Sequence, residues 1–366
     1  MKNKLETKTV SLIVTEKCNL SCIYCYEDNK SKSNMSFNTA KEILDYELTN
    51  LPKVENLYID FFGGEPFCNF ELIKQVYEYV MSFYDGKIRF FATTNGTLIH
   101  GDIQKWLEER KDYFSVGLSF DGTKEAHNLN RSESFDEIDL DFFLRNYPEQ
   151  SVKMTVSEKT LPLLAESVKY VTKLGFKVSC NLAYMVDWLA ENNRKILEEQ
   201  LNELITFYLE NSQYEVCSML NYKIEELARP EEDSKVIQKY CGAGTAMHCY
   251  DIFGNVYPCQ LFAPISAGDR AKKLGEIEIR NEYPKENLDK KCQGCYYQRI
   301  CPNCLGSNYL SMGDLFLVND DRCGLYKIIF KAVAKLKALQ WKKGQLTFID
   351  DQEQALLRSI LEIQNL

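Results

Sequence analysis

Residues 10–27 read Val10-Ser11-Leu12-Ile13-Val14-Thr15-Glu16-Lys17-Cys18-Asn19-Leu20-Ser21-Cys22-Ile23-Tyr24-Cys25-Tyr26-Glu27. An apolar run of strand length leads directly into three cysteines spaced Cys18-x3-Cys22-x2-Cys25. Three thiolates leave one corner of a four-iron cluster open, and an iron with a vacant site holds a small molecule and passes it an electron. Tetrahedral zinc is the competing use of such thiols. It normally needs a fourth Cys or His close by, and His100, His127 and His248 all lie far from Cys25 in sequence.

Outward from this stretch, short β-branched or aromatic runs alternate with amphipathic ones as far as about Met185, the pattern of repeated βα units on a parallel sheet. Strands are predicted at Val10–Thr15, Leu57–Phe62, Ile88–Thr93, Phe114–Phe120, Ser151–Val156 and Phe176–Leu182. Helices are predicted between them at Thr39–Thr49, Phe70–Tyr84, Gly101–Arg110, Phe135–Asn146 and Leu161–Leu174. Six such strands fit a partial, TIM-like (β/α)6 barrel. A longer helix over Trp188–Asn211 and a charge-rich connection over Ile224–Ser234 lead into a cysteine-rich half, with a strand at Ala246–Ile252. Two C-terminal helices are expected at Tyr326–Gln340 and Gln352–Ile363. The boundaries expected are 1–225, 226–325 and 326–366.

The 366 residues are 45% hydrophobic and 12% aromatic, enough for a buried core. A net charge of -9 argues against a nucleic-acid partner, since phosphate binding needs a basic field. No stretch opens the chain as a signal peptide or is long enough to span a membrane, so a cytoplasmic location is expected. Fourteen cysteines then read as metal ligands rather than disulfides.

Three strand ends carry polar or glycine-rich turns: Phe62-Gly63-Gly64-Glu65-Pro66, Thr94-Asn95-Gly96-Thr97 and Leu118-Ser119-Phe120-Asp121-Gly122, the last followed by His127-Asn128 and Arg131. Ligands of α/β folds collect at such ends. Ordinary turns use the same residues.

The string Cys18 to Glu27 resembles the signature of radical S-adenosylmethionine (SAM) enzymes in their peptide-modifying branch. Gly63-Gly64-Glu65-Pro66 resembles that family's GGEP motif. The resemblance implies a SAM-binding [4Fe-4S] cluster on Cys18, Cys22 and Cys25, with the amino end of SAM at Gly63, Gly64, Glu65 and Pro66 and its ribose near Ser119 and Arg131. It also implies adenine packing on Tyr24, for which a plain core tyrosine is the alternative. His127-Asn128 departs from the usual His-Asp, which leaves position 128 without a role.

Cys241-x12-Gly254-x4-Cys259, then Cys292-x2-Cys295-x5-Cys301-x2-Cys304, then Cys323 resembles the SPASM extension of the same family. Pro302-Asn303 is one residue shorter than the usual spacer. The resemblance assigns Cys241, Cys259 and Cys304 to one auxiliary cluster and Cys292, Cys295, Cys301 and Cys323 to another, making three [4Fe-4S] clusters in all. Cys249 is either a fourth ligand of the three-cysteine set or a buried free thiol. Gln260 stands where the sulfatase-maturing branch has a basic aspartate, and an amide accepts no proton at neutral pH.

The expected activity is that of a maturase. SAM is cleaved to a 5'-deoxyadenosyl radical that takes hydrogen from a ribosomally made peptide, and a thioether or carbon-carbon crosslink follows. An external flavodoxin- or ferredoxin-type donor supplies electrons. The first predicted strand begins at Val10, so a separate protein or the enzyme's own surface is expected to recognise any leader. A small-molecule dehydrogenase, sulfatase-type formylglycine maturation and a non-catalytic electron carrier are the alternatives. No side chain is assigned as the acid or base.

Overall fold

A computed structural model describes residues 7–50, 56–83, 87–228, 235–276, 278–349 and 351–365. In chain order, β1 (Thr7–Thr15), α1 (Phe37–Asn50), β2 (Asn56–Gly63), α2 (Phe70–Phe83), β3 (Lys87–Thr94), α3 (Asp102–Glu108) and β4 (Phe114–Leu118) alternate strictly. Next come α4 (Lys124–Asn130), α5 (Leu140–Asn146), β5 (Val152–Val156), α6 (Leu164–Lys173), β6 (Val178–Leu182) and α7 (Glu191–Glu210). The remaining elements are β7 (Val236–Gln238), β8 (Met247–Tyr250), β9 (Val256–Tyr257), α8 (Pro264–Ala267), β10 (Glu282–Pro284), α9 (Leu305–Met312), α10 (Asp320–Lys342) and α11 (Gln352–Asn365).

The chain divides into two units built from interleaved segments. The first holds residues up to Ser119, Arg131–Gln150 and Cys241–Asn281. Its sheet runs β4-β3-β2-β1-β8-β9, with the first five strands parallel and β9 antiparallel to β8. β1 is interior to the sheet and buried throughout from Val10 to Thr15, which is why it reads as a continuous apolar run rather than an alternation. β2 alternates instead. Its buried Leu57, Ile59 and Phe61 share one face, and Phe61 stacks with Phe90 and Phe114 across three neighbouring strands.

The second unit holds Phe120–Asn130, Ser151–Tyr240 and Glu282–Leu366. There β5 and β6 form a parallel pair, β7 and β10 an antiparallel one, and α6, α7, α10 and α11 supply a helical layer. Buried Val168 and Val171 of α6 and Leu197, Leu201 and Leu204 of α7 carry the apolar stripe that packs these helices together.

All six predicted barrel strands form. The helix expected over Phe135–Asn146 splits, because Asp139 accepts a hydrogen bond from the Phe142 N–H and caps α5 there, leaving a short 3-10 turn at Phe135–Glu137. The helix expected from Trp188 begins at Glu191, since the Trp188 indole N–H instead donates to the Ala183 carbonyl. Of the charge-rich connection, Ile224–Ala228 is a 3-10 turn, and residues 229–234 lie outside the described residues. The strand expected at Ala246–Ile252 appears as β8, paired in parallel with β1. Among the described residues no helix is long and apolar enough to cross a membrane.

Candidate functional site

The site begins where β1 ends. Pairing with β2 slips between Ile13 and Thr15, and the chain then turns into the cysteine loop. The end of β2 comes against that turn at a distance only glycine permits. A Cβ on Gly63, whose φ is +151°, would lie 2.1 Å from the Thr15 carbonyl oxygen, and one on Gly64 2.4 Å from that of Lys17. Through this approach the Gly64 N–H donates to Thr15 O at 3.1 Å and the Glu65 N–H to Lys17 O at 2.7 Å. The two glycines therefore fasten the cysteine loop to the sheet.

Glu65 ties in the next strand end. It is 1% exposed, and its carboxylate accepts from the Phe67 N–H (3.1 Å), the Thr94 hydroxyl (2.8 Å) and the Asn95 N–H (2.8 Å). Burial pushes its pKa up to about 7, while these donors and the nearby Arg131 charge oppose the rise. The Asn95 side-chain amide donates to Asn19 Oδ1 at 2.9 Å, and that of Asn19 donates to the Thr97 hydroxyl at 2.7 Å. A single polar network thus joins the cysteine loop, the Gly63–Pro66 turn and the Thr94–Thr97 turn.

Around the thiols, the Cys25 N–H donates to Cys22 O at 3.2 Å, closing a turn. Burial pushes Cys18 up to about 11, with Glu65 and Cys22 adding to the rise and Lys30 opposing it. Lys30 Nζ donates to Cys25 Sγ at 2.9 Å, and Arg131 Nη1 lies 4.0 Å from Cys22 Sγ. The Arg131 guanidinium also stacks 5.3 Å from the centre of the Tyr24 ring. Next to Arg131, Ser132 and Glu133 both have positive φ (54° and 58°), and the Ser132 hydroxyl accepts from the Ser21 N–H at 2.9 Å. This strained turn holds Arg131 against the loop. Buried Glu27 completes the surroundings. Its Oε1 has no hydrogen-bond partner among the described residues, and burial pushes its pKa up to about 8.

Cys18, Cys22, Cys25, Tyr24, Gly63, Gly64, Glu65, Pro66 and Arg131 are thus brought together. Ser119 follows β4 in the same unit, its N–H donating to Thr94 O at 2.8 Å. Asn95 belongs to the Thr94–Thr97 turn quoted from the sequence, whereas Asn19 and Lys30 carry no role there. Asn19 follows the first cysteine directly, but nothing in the sequence separates Lys30 from its neighbour Lys32. Asp121, read from the sequence as part of a strand-end motif, is a clamp inside the second unit. Its carboxylate accepts from the Thr155 N–H (2.9 Å) and the Asn130 amide (3.0 Å).

In the second unit Cys292, Cys295 and Cys323 all lie near enough to Cys301 to raise its pKa by charge repulsion. Burial comes first among the causes that bring Cys301 to about 12, and Arg322 opposes them. Arg322 is anchored by donation to Pro302 O at 3.0 Å. Cys304 caps α9, accepting from the Ser307 N–H. In the first unit Cys249 is fully buried, and its thiol is pushed well above its ordinary pKa by burial and then by Cys259.

Among the described residues no three His, Cys, Asp or Glu side chains close round one point as they would for a single metal ion. A cubane asks for something else: each thiolate binds a different iron. Three partly exposed thiols from one loop, flanked by two cations, suit that demand.

An α/β fold whose parallel sheet carries a three-thiol loop at the carboxyl end of β1 is of partial-barrel type. Residues 12–140 match the family model for the radical SAM superfamily. Members of that superfamily hold one [4Fe-4S] cluster and SAM, the complement that the Cys18 loop would hold here. It is 29% identical over 309 residues to an uncharacterised protein of Methanocaldococcus jannaschii, covering 79% of this chain and 94% of that one. It is 25% identical over 352 residues to the cysteine-type anaerobic sulfatase-maturating enzyme of Clostridium perfringens, covering 86% and 92%. Two solved structures share the fold. Native anSMEcpe with bound AdoMet and the Cp18Cys peptide superposes with a TM-score of 0.68 at 23% identity, covering 90% of this chain and 98% of that one. Streptococcus suis SuiB bound to its precursor peptide SuiA gives 0.53 at 15%, covering 87% and 76%.

Proposed function

We propose that this radical SAM enzyme matures a ribosomally made peptide, withdrawing hydrogen from it and closing a thioether or carbon-carbon crosslink. The observation that carries the reading is the grouping of Cys292, Cys295, Cys301 and Cys323 about one another, away from the Cys18 loop in sequence and in a different unit. Four thiols suit a complete [4Fe-4S] cluster with no open iron, which serves electron transfer rather than SAM binding. When bound at the Cys18 loop, cluster and SAM would supply the 5'-deoxyadenosyl radical.

Closing a crosslink removes two hydrogens from the peptide. One leaves as an atom with 5'-deoxyadenosine. The other leaves as a proton to solvent and an electron to an auxiliary cluster, which is why a crosslinking enzyme needs an acceptor. This chain's own residues hold the site: Glu65 and Asn95 fix the loops, Gly63 and Gly64 keep them close, and Arg131 and Tyr24 would contact SAM. The peptide-bound relatives in the same fold support a peptide substrate. A flavodoxin- or ferredoxin-type donor and a separate leader-binding protein are the partners that this reading asks for.

Sulfatase-type maturation is the second reading, favoured by a relative that matches nearly end to end. Gln260 weighs against it, since a half-buried amide starting the Gln260–Phe262 turn takes up no proton. The test is anaerobic turnover of the iron-loaded protein with peptides from neighbouring short reading frames, and separately with a cysteine-bearing sulfatase-type peptide. 5'-Deoxyadenosine together with a peptide lighter by two hydrogens and retaining its sulfur is the expected result. Loss of sulfur from the sulfatase-type peptide would move the assignment to the second reading. 5'-Deoxyadenosine released only with a small alcohol would move it to a dehydrogenase.

A further inference from the structure

Among the groups around the cysteine loop, Lys30 makes the shorter of two cation contacts to a sulfur. Nζ donates to Cys25 Sγ at 2.9 Å, well inside the range for a sulfur acceptor. Lys30 is half-buried, whereas Lys32, two residues on, is exposed. Buried Glu27 lies close enough for the Lys30 charge to act on it. The chain between Cys25 and Lys30 is itself held in place, since the Asn29 N–H donates to Ile265 O at 3.2 Å and Gly268 packs on the Asn29 side chain. Arg131 makes a longer approach, 4.0 Å, to a different sulfur and is already engaged by the Tyr24 ring.

We propose that Lys30 is a positioning and tuning residue for the Cys25 corner of the SAM-binding cluster, its ammonium hydrogen bond raising the reduction potential of that cluster. The inference rests on the reading of Cys18, Cys22 and Cys25 as cluster ligands. Its physical basis is simple: reduction adds one negative charge, and a cation hydrogen-bonded to a ligand sulfur stabilises the reduced form more than the oxidised one. The contact of Lys30 is with a ligand sulfur, so its effect is read in the potential before it is read in turnover.

The experiment is an anaerobic redox titration of the iron-loaded full-length protein followed by electron paramagnetic resonance. The relevant cluster is identified as the one whose reduced signal changes when SAM is added. Lys30→Met should lower the midpoint, with about a tenfold fall in the reduced-to-oxidised ratio at fixed potential, equivalent to about 59 mV for a one-electron couple. Lys30→Arg, which keeps a cationic donor, should restore most of the shift. Lys32→Met changes the same formal charge without touching sulfur and should leave the midpoint where it was.

A Lys30→Met protein with a SAM-responsive cluster at the wild-type midpoint overturns the proposal, as does a Lys32→Met shift of equal size. Where Lys30→Met loads no iron, Lys30→Gln, a neutral donor, is titrated instead. Its midpoint should lie below that of wild type, since the charge is lost while a donor remains, and an unchanged midpoint overturns the proposal equally. Failure of the underlying reading looks different: the wild-type protein would show no SAM-responsive cluster, or would keep one after Cys22→Ala.

Discussion

At Gly63 and Gly64 the missing side chains are the reason the cysteine loop can lie on the sheet. An added methyl would meet backbone carbonyls, which cannot swing aside as a side-chain tip does, and at Gly63 it would also sit at a φ that L-residues avoid. Gly63→Ala is therefore expected to cost about 2–3 kcal/mol, measured by urea unfolding of the iron-free protein, and to reduce iron loading at the Cys18 set. Glu65 makes a pH prediction. Its folded pKa, about 7, lies above the ordinary 4.5. Its contribution to stability is therefore fully present below 4.5 and is lost as pH rises through 7. Glu65→Gln should flatten the stability profile of the iron-free protein between those values. At pH 4 the variant should be less stable by about 1–3 kcal/mol, since the amide leaves one of three donors without an acceptor. A profile in which wild type and variant run parallel from pH 4 to 8 would contradict this assignment. The cysteines and the GGEP turn were readable from spacing because cluster ligation and close approach each demand particular residue types. The Asn19–Asn95–Glu65 network was not, since Asn and Glu serve many turns and only the fold shows which turns meet.

The element that the sequence left unplaced is β8. Its apolar alternation marks a strand, but four residues far from β1 carry no record of which sheet edge they join. The structure supplies the reason for the pairing beyond backbone hydrogen bonds. Glu47 on α1 accepts from Lys8 Nζ of β1 at 2.6 Å, from the Tyr250 hydroxyl of β8 at 2.6 Å, and pairs with His248 Nδ1 of β8 at 2.9 Å. One buried carboxylate clasps a helix to two strands. Burial alone would raise its pKa, but His248, Lys8 and Tyr250 together outweigh burial and bring it down to about 2. The stabilisation is therefore present above the ordinary pKa of 4.5 and is lost as pH falls from there to 2. Glu47→Gln should destabilise the protein at pH 7 by on the order of 3 kcal/mol, and the gap to wild type should narrow steadily below pH 4.5. Thermal melts at pH 7, 4 and 3 check it, and a gap independent of pH would mean that packing rather than charge sets the cost. The barrel strands were legible because each is long, β-branched and followed by an amphipathic stretch; α5 began late because a single capping aspartate, Asp139, outcompeted the apolar period before it.

Across the whole molecule, the thiols expected to hold iron divide between two units whose segments alternate along the chain, so order in sequence is a poor guide to grouping. Cys241 and Cys259 fall in the first unit with the Cys18 loop, whereas Cys304 falls in the second with Cys292, Cys295, Cys301 and Cys323. If the Cys18 set and the Cys292 set each hold a cubane, damage to one should subtract its iron and leave the other's chemistry intact. Cys301→Ala should lower the iron content by about four per chain. It should also preserve the SAM-responsive paramagnetic signal and reductive release of 5'-deoxyadenosine, while abolishing the peptide product lighter by two hydrogens. Cys22→Ala should do the reverse, retaining the iron of the second unit while losing SAM cleavage altogether. The decisive comparison is between these two variants in one preparation, with folding verified by circular dichroism. Loss of SAM cleavage in a folded Cys301→Ala protein that keeps its Cys18-loop iron would show that the second set serves the cleavage step itself, and would remove the argument that it stands as the acceptor for the electron left by crosslink formation.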